Sequence, residues 1–268
     1  MSTHYNHAPL VEVIAEVRWP TPEEAIFQAA PPNALVNIPQ ELISASEVFY
    51  SKFAELADNL DFRNTERLSP QNSGSLPGQP VVRYRKKLNA PPLMQIGAGV
   101  FTVNGLPPTY VDWDDFAPML SSGMSALQTA RVSSGLDGPF SRLILRYINA
   151  FDATYWQERT PGQFIRDVLG FDVKMPSSAE VMYDPSTPGS MLMQRSVPMR
   201  DGGLLNFNVG EGLSNGDQAV VLEMAVEYAG VAADEYESVF DTAHRILADL
   251  FEEMVRDITP LLEPTEAS

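Results

Sequence analysis

The sequence predicts an α+β protein, a mainly antiparallel twisted sheet backed on one face by long helices. Three observations lead there. Across residues 232–258, Tyr236, Phe240, Ala243, Leu247, Leu250, Met254 and Ile258 recur at spacings of three and four, a single apolar stripe on a helix. Residues 9–19 (PLVEVIAEVRW) alternate apolar and polar, the period of a strand with one dry face. Asp201-Gly202-Gly203 and Ser214-Asn215-Gly216-Asp217 are hairpin turns between strand-like runs, which makes the strands that they join antiparallel.

In the first strand Val11, Val13, Ala15, Val17 and Trp19 face the core, and Glu12, Ile14, Glu16 and Arg18 face away. A proline-broken loop leads to a helix over residues 40–60, where Ile43, Phe49, Phe53, Leu56 and Leu60 form a stripe. Residues 64–80, with SPQNSGSLPGQP, are rich in turn formers and read as an exposed loop. Residues 81–88 form a strand with Arg83, Arg85 and Lys87 on one side and Val82, Tyr84 and Leu88 on the other. Residues 93–104 read as its antiparallel neighbour. Gly97 and Gly99 share the face of Gln95 there, and two glycines so spaced suggest a bulge, a close approach or a plain twist. A helix is entered at Asp112, with Trp113, Phe116, Leu120, Met124 and Leu127 on its apolar side.

The second half follows a similar order. Residues 141–151 form a strand with Arg142 and Arg146 opposite Leu143, Leu145, Tyr147 and Phe151, and a short helix covers 161–169. Strands are expected at 190–199, 204–209 and 219–228, before the final helix, with Asp234 as its cap and Pro260 as its stop. Residues 1–268 are therefore expected to form one compact domain. The recurring element order leaves open two similar halves, 1–135 and 136–268, arranged like a saddle or a helix grip.

Composition narrows the function. With 268 residues, 44% of them hydrophobic, the chain can fill a large core. It has no cysteine, which excludes disulfides, thiolate metal sites and a cysteine nucleophile. No apolar run of about 18 residues is present and the first ten residues are polar, so a cytoplasmic protein without membrane insertion is expected. The net charge of −17 argues against a protein that coats nucleic acid with its whole surface. From Glu211 onward fourteen acids face two bases, mostly on or beside the last helix, the pattern of a solvated helix face or an acidic docking surface.

No catalytic, metal or cofactor motif stands out. His4 and His7 have ligand spacing but no third partner nearby, and His244 sits beside the apolar stripe of the last helix. Asp112, Asp114 and Asp115 suit a helix N-terminus. The candidate site is a face: the wet side of the strands gathers Arg18, Arg83, Arg85, Lys87, Gln95, Arg142 and Arg146 among acids such as Glu12, Glu16, Glu223 and Glu227. Such a face is either a set of solvated cross-strand ion pairs or a recognition surface for a protein or anionic ligand, the one place where nucleic acid could bind. These residues favour a non-enzymatic binding or regulatory protein. The alternative is an enzyme or small-molecule carrier whose apolar pocket, between sheet and last helix, is lined by Met191, Met193, Met224 and Met254.

The opening PLVEVIAEVR, the middle QIGAGVFTVN and the later RLILRYIN resemble a sporadically distributed family of uncharacterised bacterial proteins of about this size. The resemblance covers nearly the whole chain in the same order. It implies a bacterial, cytoplasmic protein that travels with mobile gene cassettes, and it brings no cofactor or catalytic residue.

Overall fold

Alternation of apolar and polar residues sets Leu10–Arg18 as the strand β1, and the same period organises the strands that join it. The computed structural model describes residues 5–31, 36–71, 74–174, 176–180, 182 and 190–264. After β1 come helices α1 (Pro22–Ala29) and α2 (Gln40–Asn59), then strands β2 (Asn64–Arg67), β3 (Pro80–Arg85), β4 (Leu93–Gly97) and β5 (Val100–Gly105). Helix α3 (Trp113–Ser133), strand β6 (Phe140–Phe151) and helices α4 (Ala153–Trp156), α5 (Pro161–Asp167) and α6 (Ser177–Glu180) follow. Strands β7 (Leu192–Pro198), β8 (Leu204–Ser214) and β9 (Asp217–Val231) lead to α7 (Tyr236–Met254), a 3-10 turn at Arg256–Ile258 and α8 (Thr259–Leu262). Among the described residues nine strands make one antiparallel sheet, in the order β2-β3-β4-β5-β1-β6-β9-β8-β7, so the α+β class holds.

Two compact units divide the chain. The larger comprises Glu12–Leu145 and Glu227–His244; the smaller comprises Met1–Val11, Arg146–Val226 and Arg245–Ser268. In the larger unit Val82, Tyr84, Met94, Ile96, Phe101, Val103, Val13, Ala15 and Val17 are buried on one face of the strands. Helix α2 packs there through Phe53, whose ring meets Tyr84 and Phe101 at 5.4 Å each. Helix α3 approaches the strands at Gly123, where a Cβ would stand 3.0 Å from Met94 Cε and 3.1 Å from Phe101 Cζ. Arg131, in the last turn of α3, lies 5.2 Å from the Trp19 ring and 4.8 Å from that of Phe140, and donates to the Gly138 carbonyl at 3.1 Å. Burial lowers the pKa of this guanidinium, and Asp137 acts the other way.

Several local expectations are corrected. Residues 93–104 are two strands, because Gly99 adopts φ +72° and turns the chain between them. Gly97 sits where β3 bulges between Pro80 and Val82: a Cβ there would lie 1.9 Å from the Gln79 carbonyl oxygen, so the close approach is to the chain's own backbone. Strand β3 ends at Arg85, which leaves Lys87 on an exposed turn and Leu88, expected in the core, 75% exposed. The proline-rich loop contains α1, because Thr21 caps it by accepting from the Glu24 amide and Pro22 occupies its first turn. Residues 64–67, expected in a loop, pair with β3 as the edge strand. The final helix starts at Tyr236 and stops at Met254, and Pro260 lies in the first turn of α8 rather than ending α7.

In the smaller unit β7 and β8 pair with Gln194 opposite Asn208 and Ser196 opposite Asn206. Turn geometry matches the residues: Gly202 takes φ +91°, and Asn215 and Gly216 take +54° and +92°. A complete capping box of Thr160 and Gln163 starts α5, which buries Phe164 and Ile165. Near the N-terminus, Tyr5 bridges to Pro264 and the Asn6 amide donates to the Glu263 carbonyl at 3.1 Å.

Candidate binding face

Register assembles the site. In the larger unit Glu66 lies opposite Arg83, Arg83 opposite Gln95, Gln95 opposite Thr102, and Thr102 opposite Glu16, a single row across β2, β3, β4, β5 and β1. The row is on the face away from α2 and α3, since it alternates with the buried apolar set. From Glu66 to Thr102 its side chains are linked, and the chain of bonds then turns along β5 to Asn104 and across to Glu12, leaving Glu16 to Arg18. Arg83 donates to Glu66 at 3.1 Å and to Gln95 Oε1 at 3.3 Å; Gln95 Nε2 donates to Thr102 Oγ1 at 3.4 Å; Thr102 donates to Asn104 Oδ1 at 2.7 Å; and Asn104 Nδ2 donates to Glu12 at 2.7 Å. From Arg83 to Glu12 every donor points the same way, so each bond polarises the next. Thr102, Asn104 and Glu16 are 5%, 4% and 8% exposed, although the face was expected to be wet. The Glu66 side chain at the edge is 52% exposed.

The predicted arginines each meet an acid. Arg18 Nε contacts Glu16 Oε1. Arg83 pairs with Glu66 in the row, and Arg85 approaches the same carboxylate at 4.0 Å while donating to the Ala90 carbonyl. Arg142 pairs with Glu227 at 3.0 Å. In the smaller unit Arg146 pairs with Glu223 at 3.1 Å. Gln95 is the middle of the row. Lys87 is not brought to this face.

Glu66, Thr102 and Asn104 were missed in the sequence. The first lay in a stretch read as a loop, and the other two belong to a strand hidden by reading 93–104 as one. The alternation Phe101-Thr102-Val103-Asn104 after a glycine was the available signal.

The methionines of the alternative pocket all fall in the smaller unit. Met224 is 1% exposed on β9, and Met191, Met193 and Met254 are half-buried. Three clefts in the larger unit have other linings: one around Trp19 and Glu23, one around Arg131 and Asp137, and one between α3 and α7. In the last, Trp113 donates to Asp241 at 2.9 Å, and both Ser121 and Tyr236 donate to Glu237, at 2.7 and 3.1 Å. His4 lies outside the described residues, and His7 is 3.2 Å from Glu263. Among the described residues no group of three or more His, Asp or Glu is arranged to hold a metal ion, and no helix is long and apolar enough to cross a membrane. No family model matches the chain, and neither a curated protein nor a solved structure matches it.

Proposed function

We propose that the chain is a non-catalytic binding protein that docks a protein partner on the face of the larger unit's sheet away from α2 and α3. The observation that carries this reading is the chain of bonded side chains from Glu66 to Glu12. Its side chains are already held by one another, so little rotamer freedom remains to be lost on binding. Thr102, Asn104 and Glu16 are shielded, while Arg142 on the interior strand β6 is 48% and Glu66 on the edge strand 52% exposed, a mixture that suits a docking surface. Charge decides between partner classes. Arg18, Arg83, Arg85 and Arg142 are balanced by Glu12, Glu16, Glu66 and Glu227, so the face lacks the excess of cations that draws a polyanion. A protein surface of mixed charge is the better complement. The resemblance to the sporadic bacterial family supports a cytoplasmic partner.

The test is capture from an extract of the native host on immobilised protein, comparing wild type with Arg83→Glu/Arg142→Glu, followed by reconstitution from purified components. The expected result is a partner held by the wild type, weakened by salt and lost by the double variant. Equal retention by a folded double variant would remove this face from consideration.

A further inference from the structure

Strand β7, in the smaller unit, ends the sheet, with β8 as its one neighbour among the described strands. The β7–β8 register runs without a bulge from Leu192 opposite Gly210 to Pro198 opposite Leu204. Just before it the Glu211 amide donates to the Met191 carbonyl at 3.2 Å, and just after it the Met199 amide donates to the Gly203 carbonyl at 2.8 Å. Antiparallel strands turn the backbone groups of alternate residues to opposite sides, so Met193, Arg195 and Val197 bond inward to β8 as Met191 and Met199 do. Leu192, Gln194 and Ser196 therefore point their amides and carbonyls outward. Pro198 closes the series, because it has no amide hydrogen.

Sheet edges are usually blunted by brevity, charge or bulges, since a row of unpaired backbone groups is a template for another strand. The sheet's other edge is blunted in this way: β2 has four residues, two of them Glu66 and Arg67. By contrast β7 has seven residues and one charge, at Arg195, and both its faces are open, with Leu192 87% exposed. Which strand fits is decided by the outward set. In an antiparallel pair an outward residue must meet an outward residue. Leu192, Gln194 and Ser196 are symmetric about Gln194, so a second copy related by a two-fold axis there pairs them all: Gln194 meets Gln194, and Leu192 meets Ser196 in both directions. An axis at Leu192 or at Ser196 leaves part of the set unpaired. The side chains suit the same arrangement. Two glutamine amides face each other at the axis, Leu192 lies beside Ser196 and Pro198 of the second copy, and Met193 falls opposite Arg195, which keeps the two guanidinium groups apart.

We propose that two copies of the chain associate edge to edge through β7, antiparallel about a two-fold axis at Gln194. The association uses no residue of the larger unit's sheet face. Such an interface is small, and a Kd on the order of 10–100 μM is expected from sedimentation velocity of the full chain over about 5–300 μM. Each copy has a net charge of −17, so raising salt from about 0.05 to 0.5 M should tighten the dimer by about threefold or more. Gln194→Pro removes the amide at the axis, which bonds nothing in β8, and should abolish the dimer with an unchanged circular dichroism spectrum. The chain has no cysteine, so cross-linking reads the register. Gln194→Cys sets two thiols opposite each other with Cα atoms roughly 5.5 Å apart and should oxidise to a disulfide-linked dimer. Ser196→Cys, whose two copies fall roughly 14 Å apart along the strands, should not. The cysteine pair carries the test if Gln194→Pro is poorly folded. A chain that stays monomeric over this range, whether or not it accepts a foreign strand, would overturn the proposal. A dimer dissolved by salt, a dimer untouched by a folded Gln194→Pro, or equal cross-linking of the two cysteine variants would place the interface elsewhere and overturn it too.

Discussion

Trp113 and His244 lie ring against ring, with centroids 4.7 Å apart and planes within 4° of parallel. Burial is the main influence on this imidazole and holds its pKa below the usual 6.5, while the carboxylates of Asp241, Asp114 and Asp112 pull it upward. The fold therefore prefers the neutral ring, and protons bind more readily to the unfolded chain. Stability from this group is fully present above about pH 6.5 and is lost as the pH falls toward the folded-state value. Thermal midpoints at about pH 7.5 and 5.5 should show a drop on the acid side, and His244→Gln should remove that part of it. An equal drop in the variant would assign the acid sensitivity to carboxylates instead.

Arg131 is 3% exposed, and its Nε has no hydrogen-bond partner among the described residues. What holds it is stacking between Trp19 and Phe140 and one bond to the Gly138 carbonyl. A lysine keeps the charge but loses the flat contact with both rings, so Arg131→Lys should cost about 2 kcal/mol or more. Methionine fills a similar volume without a buried charge, and Arg131→Met should stay within about 1 kcal/mol of the wild type. Urea unfolding of the two variants checks this; a more stable lysine variant would show that the charge itself is needed.

The linked row has a dry middle and a wet end, which should respond differently to the loss of one polar group. Thr102→Val leaves Gln95 Nε2 and Asn104 Oδ1 without their shared partner in a shielded position, at a cost of about 1–3 kcal/mol. Glu66→Gln, at the solvent edge, should change stability by less than about 0.5 kcal/mol. Equal effects in chemical denaturation would mean that water reaches Thr102 freely and that the row is not preordered.

Elements with a strong period were legible at once. Helix α2 begins at Gln40 as its stripe predicts, and Asp112 caps α3 as expected, accepting from the Asp115 amide at 2.9 Å. Which side chains share a side of their strand follows from alternation, which groups Arg83 with Arg85 and Arg142 with Arg146, whereas the burial of Thr102, Asn104 and Glu16 on a side expected to be wet does not. What escaped was set by backbone. Gly99 reads as a weak strand residue until its positive φ is known, and the hairpin that it makes brings Thr102 opposite Gln95. Likewise Glu66 stands just before SPQNSGSLPGQP in a stretch without apolar alternation, and it acquires a role only through the edge pairing with Arg83. The α3–α7 groove joins residues more than a hundred positions apart, such as Ser121 and Glu237, which no local pattern relates.

The division of the chain bears on the order in which it can fold during synthesis. The larger unit needs residues 227–244 and the smaller needs both the first residues and those after 245, so neither is contiguous. Domains that occupy one continuous stretch fold as soon as they leave the ribosome, the N-terminal one first. Here Tyr5 and Asn6 must wait for Pro264 and Glu263, and Trp113 must wait for Asp241. A nascent chain halted before α7 would therefore hold two incomplete cores, with its apolar strand faces open to chaperones until the last helix emerges.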